Sequence, residues 1–158
     1  MVIVEFEEAD TEEIVSLFYE TVHSVNAKGY SQIELNAWAP LEEKTAKLAA
    51  WKVSLGRNLS YVAKVDNQVV GFSDMTHSGY LDRLYVHHCY QGQGIATALV
   101  DRLENEAKKI NLLEIATDAS ITAKQFFERR GFMTTCPQTV ERKGVKLINY
   151  KMIKKLDS

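Results

Sequence analysis

The sequence predicts an α/β fold: a mixed β-sheet, antiparallel in its first half, flanked by helices. Three observations carry this. Residues 59–86 hold three β-rich runs joined by short turns. Helical periodicity fills the N-terminal third and returns over 94–110. The chain then alternates strand, helix, strand, strand, which completes the order β–α–α–α–β–β–β–α–β–α–β–β.

Val2 to Glu7 alternates apolar and polar residues, as a half-buried strand does. Asp10 stands three residues before Glu13, a capping-box spacing, and predicts a helix from Thr11 to Ser24. Ile14, Leu17, Phe18, Val22 and Val25 form its apolar stripe. Ser31 and Glu34 repeat the cap before a short helix that carries Leu35 and Trp38. Pro40 suits the first turn of a third helix, striped by Leu41, Leu48, Trp51 and Leu55.

Leu59 to Val65 and Gln68 to Thr76 then read as strands around an Asp66-Asn67 hairpin turn. Tyr80 to Val86 follows Gly79 as the third strand of a meander. The helix from Gly94 to Ile110 turns Ala96, Leu99, Val100, Leu103, Ala107 and Ile110 inward. Leu112 to Thr117 is short and apolar enough for a buried strand. A helix from Thr122 to Arg130 ends at Gly131-Phe132, a left-handed stop followed by an apolar residue that folds back. Thr134 to Arg142 and Val145 to Lys154 close the chain as a hairpin around Lys143-Gly144.

The 158 residues suit one domain, taken as 1–158, with a core that needs no staple. Apolar residues make up 46% and charged residues 25%, which argues against disorder. A net charge of −2 disfavours a general nucleic-acid binder. No basic leader opens the chain and no apolar run is long enough to cross a membrane. Cys89 and Cys136 lie outside any CxxC pair and read as buried or semi-buried thiols. These features predict a soluble, cytoplasmic protein with no membrane or nucleic-acid partner.

Chemistry concentrates in Leu84-Tyr85-Val86-His87-His88-Cys89-Tyr90-Gln91-Gly92-Gln93-Gly94-Ile95-Ala96. A strand ends, a loop follows, and two glycines open a long helix. A helix N-terminus offers unpaired N–H groups and partial positive charge, so it favours phosphate. Gly92 and Gly94 remove the Cβ atoms that would hold a pyrophosphate off the backbone, and Gln91 offers a further donor. No Lys or Ser follows Gly94, so this is no Walker A loop. Thr97 fills the third position of a dinucleotide fingerprint poorly, and that fingerprint belongs in a βαβ unit rather than after a meander. An NAD(P)-dependent oxidoreductase is therefore a weaker reading.

Gln91-x-x-Gly94-x-Ala96 resembles the Gln/Arg-x-x-Gly-x-Gly/Ala motif of the GNAT acyltransferases. Leu84-Tyr85-Val86 is similar to that family's motif strand. Ala123-x-x-Phe126-Phe127-x-x-x-Gly131-Phe132 is similar to its Ala-x-x-Leu-Tyr-x-x-x-Gly-Phe segment, and Tyr150-x-Met152 in the last strand is also typical. The resemblance spans the chain. It implies a mostly antiparallel sheet with one splayed parallel strand pair, and direct transfer of acetyl from acetyl-CoA to an amine.

By that resemblance the cofactor lies between the strand ending at Val86 and the strand 112–117. Leu84 and Val86 offer their backbone to the pantetheine amides. N–H groups from Gln91 through Gly92, Gln93, Gly94, Ile95 and Ala96 hold the pyrophosphate, with the Thr97 hydroxyl beside them. A backbone N–H near Leu84 or Tyr85 polarises the thioester carbonyl. Ser120 is a donor to the pantetheine or a helix cap.

Phe127 stands where many members carry an acid tyrosine, and a phenyl ring cannot donate a proton. Candidate bases are Asp82, His87 and His88, with Asp74 behind. Asp82 is the first choice; its other role is a strand residue paired with Arg83. Tyr150 is a candidate acid. Cys136 lacks a partner for nucleophilic catalysis. His87, His88 and Cys89 are too close in sequence to ligate a metal without a fourth group, so no metal is expected. Tyr30 and Trp38 are expected to line an aromatic acceptor pocket, with Trp51 as core. The acceptor is a small-molecule or protein amine, and many members of the family form homodimers. The missing tyrosine also admits a non-catalytic CoA-binding or sensing module.

Overall fold

The paired β runs form the centre of a seven-stranded sheet in the computed structural model, which describes residues 1–157. The strands are β1 (Val2–Glu5), β2 (Leu59–Val65), β3 (Gln68–Met75), β4 (Tyr80–Val86), β5 (Glu114–Ser120), β6 (Met133–Arg142) and β7 (Val145–Lys155). Their order across the sheet is β1-β2-β3-β4-β5-β7-β6. Every neighbouring pair is antiparallel except β4 with β5, which is parallel.

The helices are α1 (Thr11–Ser24), α2 (Gln32–Trp38), α3 (Lys44–Arg57), α4 (Ile95–Lys109) and α5 (Lys124–Arg129). Two apolar cores pack on the sheet. One joins Leu99, Val100 and Leu103 of α4 and Phe127 of α5 to Leu81, Ile115 and Met152. The other joins Ile14, Val15, Phe18 and Val22 of α1 to Leu35, Leu55, Val62 and Phe72. No helix among the described residues is long and apolar enough to cross a membrane.

Turn chemistry follows the sequence closely. Asp66 and Asn67 both have positive φ, as do Lys143 and Gly144, which matches the twist of two-residue hairpins. After α5, the N–H of Phe132 donates to Phe127 O at 3.0 Å and that of Gly131 to Glu128 O at 3.1 Å. That is the expected glycine stop. Ser31 and Glu34 form the expected capping box. Gly79 is required by a close approach: its φ is +98° and a Cβ there would lie 2.8 Å from Glu114 O.

Six expectations are corrected. β1 ends at Glu5, and Phe6 continues only with one hydrogen bond to Ser60 O. The first capping box joins Glu7 with Asp10, whose carboxylate also pairs with Lys64 at 3.0 Å. Glu13 instead accepts from the Val69 N–H. Pro40 precedes a turn of 3-10 helix at Leu41–Glu43, so α3 starts only at Lys44. The strand expected over 112–117 runs from Glu114 to Ser120. It starts later because Asn111, in a left-handed conformation, lets the Leu112 N–H fold back onto Ala107 O and ends α4. Ile110, expected inward, is exposed at that turn. Both cysteines are free and exposed rather than buried.

Candidate active site

The parallel pair β4–β5 is matched only at Tyr80–Ala116 and Leu81–Thr117. There the Thr117 hydroxyl donates to Leu81 O at 2.9 Å. Beyond that point β4 stays on β3 and β5 stays on β7, so the two strands part. A β-bulge marks the start of the gap. Asp74 pairs with Arg83 and Met75 with Leu81, which leaves Asp82 as the extra residue. The bulge turns Asp82 into the opening.

Strand alternation then decides which backbone groups face the gap. The His87 N–H donates to Val70 O at 2.8 Å, across β3. Residues 85 and 83 follow the same alternation toward β3, so the polar groups of Leu84 and Val86 face the other way, into the gap. Val86 O is already bound: Gln91 Nε2 donates to it at 2.6 Å, and Thr21 Oγ1 lies at 3.5 Å. Gln91 thus braces its own loop with one of the two N–H groups of its amide.

A cleft of about 200 Å³ fills the gap. Leu84, Tyr85 and Val86 line one side, and Ser120, Ala123 and Phe127 the other. Ala96 borders it from the start of α4. At that helix start Gly94 has φ +80° and no side-chain cap, and Gly92 has φ +73°. A Cβ on either would meet nothing within 4 Å. The N-terminal N–H groups of a 15-residue helix therefore open onto free space, framed by glycines, which suits a bound phosphate. Gln93 and Thr97 are exposed beside it, whereas the Ile95 side chain is buried in the core, so Ile95 offers only its N–H.

Ser120 Oγ accepts from the Ala123 N–H at 3.1 Å, so it caps the turn into α5 while bordering the cleft. Phe127 is buried beneath the cleft and stacks edge-on with Phe132.

A second cleft of about 310 Å³ adjoins the first. Trp38, Asp82, Tyr85, Asp118 and Ser120 line both. Its walls are aromatic, from Phe18, Tyr30, Trp38, Trp51, Tyr80 and Tyr85. The Tyr30 hydroxyl donates to Ile148 O at 2.7 Å and accepts from the Ile121 N–H at 2.9 Å. This pins the wall to β7 and to the loop after β5. Trp38 packs against that ring at 5.3 Å. Trp51, read as core, also faces this cleft. The hairpin β6–β7 is held over it by Lys143, whose Nζ lies 2.7 Å from Glu43 and 3.3 Å from Glu42.

Arg83 organises the floor. Its guanidinium donates to Ser54 Oγ at 2.8 Å, lies 3.3 Å from Asp82 and 3.6 Å from Asp74, and covers the Trp51 ring at 4.6 Å. Asp74 is fully buried. Burial pushes its carboxyl up to about 6, opposed by Arg83 and by the Asn58 amide at 2.9 Å. Asp82 is partly exposed at the junction of the clefts. Burial holds the Tyr85 phenol protonated well above its ordinary value, with a Trp38 hydrogen bond opposing.

Asp118 was not foreseen. Its carboxylate accepts from the Tyr80 hydroxyl and from Gln138 Nε2, both at 2.8 Å, on the β5 side of the junction. Burial raises the Tyr80 phenol and the Asp118 bond raises it further.

Tyr150 is not brought to the junction. It packs with the α4–α5 core under Lys124, 4.8 Å from its ring, and lines neither cleft. Its neighbour Asn149 faces the second cleft instead. His87 accepts the Cys89 N–H on Nδ1 and sets Nε2 3.2 Å from Glu20. His87, His88 and Cys89 place their ligand atoms within 4.8 Å of one another, but none lines either cleft.

A family model described as an acetyltransferase (GNAT) domain matches residues 26–154. The chain is 34% identical over 148 residues to the uncharacterized N-acetyltransferase YafP of Escherichia coli K12, covering 93% of this chain and 91% of that protein. It superposes with a TM-score of 0.91 on a GCN5-related N-acetyltransferase from Rhodopseudomonas palustris, described as "Aminotransferase, Class-II", at 31% identity, over 98% of this chain and 95% of that one. The PaiA N-acetyltransferase of Thermoplasma acidophilum, solved with coenzyme A, has the same fold at a TM-score of 0.77 and 21% identity, covering 98% of each chain.

Proposed function

The chain belongs to the GNAT acetyltransferase family, and from that premise we propose that it transfers the acetyl group of acetyl-CoA directly to a primary amine. One observation carries the reading: the cleft between β4 and β5 and the aromatic cleft meet at Asp82, Tyr85 and Asp118. A thioester entering from one side and an amine from the other would react there, by proximity and orientation.

The glycine-framed N-terminus of α4 is the site for the pyrophosphate, through N–H groups between Gln91 and Ala96, with Thr97 beside them. Leu84 offers its carbonyl and Val86 its N–H to the pantetheine arm. The Leu84 N–H also serves as the donor to the carbonyl oxygen as negative charge builds on it. Asp82 takes the proton that the attacking nitrogen loses as the N–C bond forms. The C–S bond breaks to leave a thiolate, whose conjugate thiol has a pKa near ~8.5. Tyr85, kept protonated by burial, donates a hydrogen bond to that sulfur and takes the place of the tyrosine absent at Phe127. Tyr30 and Trp38 wall the acceptor.

Thermal unfolding with acetyl-CoA, NAD and NADP tests the cofactor, because selective binding stabilises the folded state. A rise in Tm with acetyl-CoA alone supports the reading. A rise with NAD or NADP and none with acetyl-CoA overturns it.

A further inference from the structure

The charges of the aromatic cleft carry information about the acceptor. Five charged side chains line it: Lys47, Arg83, Arg142, Asp82 and Asp118. Arg83 is already matched by Asp74 and Asp82. Lys47 and Arg142 have no carboxylate partner among the described residues. Lys47 Nζ lies 5.9 Å from the Phe18 ring centroid, and the hydrogen bond made by Arg142 goes to the backbone carbonyl of Glu141 at 3.1 Å. The neighbouring cation Lys143, by contrast, is clamped by Glu42 and Glu43.

The carboxylates border both clefts, whereas Lys47 and Arg142 line only the second. Asp118 and Asp82 sit at the junction with the first cleft. Arg142 pairs with Val145, four residues along β7 from Asn149, which pairs with Ser120 at that junction. Four strand residues span about 13 Å of backbone. Aromatic rings of Phe18, Trp38 and Trp51 lie in the same cleft.

We propose that the acceptor is a primary amine that also carries an anionic group, joined by a flat apolar body. Its amine lies at Asp82 and Asp118, its body against the aromatic wall, and its carboxylate or phosphate at Arg142 and Lys47. This rests on the acetyltransferase reading and adds the substrate class. Arg142 and Lys47 are specificity residues and take no part in the chemistry.

Both tryptophans of the chain line this cleft, so intrinsic fluorescence reports acceptor binding apart from turnover. The test compares matched pairs: para-aminomethylbenzoate with benzylamine, and tyramine phosphate with tyramine. Affinity is read by fluorescence titration and kcat/KM by thiol release from acetyl-CoA. The anionic member of at least one pair is expected to be favoured by about tenfold or more, the value of a charge-assisted hydrogen bond. Which pair shows it separates carboxylate from phosphate. In Lys47→Gln/Arg142→Gln the ratio is expected to fall toward one. Equal or better binding and turnover of both neutral members overturns the inference. So does a preference that survives the double variant, or turnover of other amines with no binding of these probes. Absence of acetyl-CoA binding overturns the acetyltransferase reading itself, and is measured separately by calorimetry.

Discussion

The Thr117 hydroxyl donates to the Leu81 carbonyl at 2.9 Å, at the last matched pair of β4 and β5. It is the hinge of the site, since the strands part directly beyond it. Both residues are buried. Thr117→Val keeps the shape and removes the donor. The expected cost is about 1–2 kcal/mol, seen as a fall of several degrees in Tm, with weaker acetyl-CoA binding. An unchanged Tm and an unchanged affinity would remove the hinge role.

Gly94 has φ +80° and free space where a Cβ would point. Gly94→Ala should cost about 1 kcal/mol through strain and leave acetyl-CoA binding measurable. Gly94→Glu adds an anion in the space assigned to the pyrophosphate and should abolish binding while the far-UV circular dichroism stays native. Equal affinity of Gly94→Glu and wild type, by calorimetry, would sink the phosphate assignment.

Asp82 is displayed at the junction by the bulge of β4. If it takes the proton from the amine, Asp82→Asn should lower kcat by about a hundredfold or more and alter the pH dependence of kcat. Acetyl-CoA affinity should be nearly unchanged. Asp118→Asn removes the charge, while its amide oxygen can still accept from Gln138 and its NH2 can donate to the Tyr80 oxygen; it should act mainly on KM for the amine. Identical pH–rate profiles for Asp82→Asn and wild type would leave Asp82 as a strand residue.

The buried Asp74 has a pKa raised to about 6 by burial, with Arg83 and Asn58 opposing. Between its unfolded value near ~3.9 and about 6, the folded state holds the proton more tightly than the unfolded state. Stability through this group is therefore greatest below pH ~4 and falls as pH rises through about 6, by about 3 kcal/mol in all. Asp74→Asn should flatten that part of the curve. Urea unfolding at several pH values checks this, and a variant with the wild-type slope contradicts it.

Several turns and helix ends were legible residue by residue. Asp66-Asn67, Ser31-x-x-Glu34 and Gly131-Phe132 each do what their chemistry dictates, because local backbone preference decides them. The Gly92–Gly94 helix start was equally plain. What the sequence left open depends on partners distant in the chain. Asp118 lay beyond the expected end of its strand, and only the pairing of β5 with β7 as far as Ser120 carries it into the site. Tyr150 and Asn149 exchange faces with a shift of one residue, and pairing with β5 turns Asn149 to the acceptor side. The contact of the Gln91 amide with Val86 O was also hidden, because only the folded loop brings the two together.

The most direct measurement of the account is the stoichiometry of one reaction: free thiol released from acetyl-CoA, counted against acetylated amine identified by mass. The account predicts one acetylated amine for each thiol, dependent on enzyme and amine together, and lost in Gly94→Glu. Tight acetyl-CoA binding with no amine in a broad panel raising thiol release above the background of hydrolysis would contradict it, and would leave a protein that binds the cofactor without transferring its acetyl group.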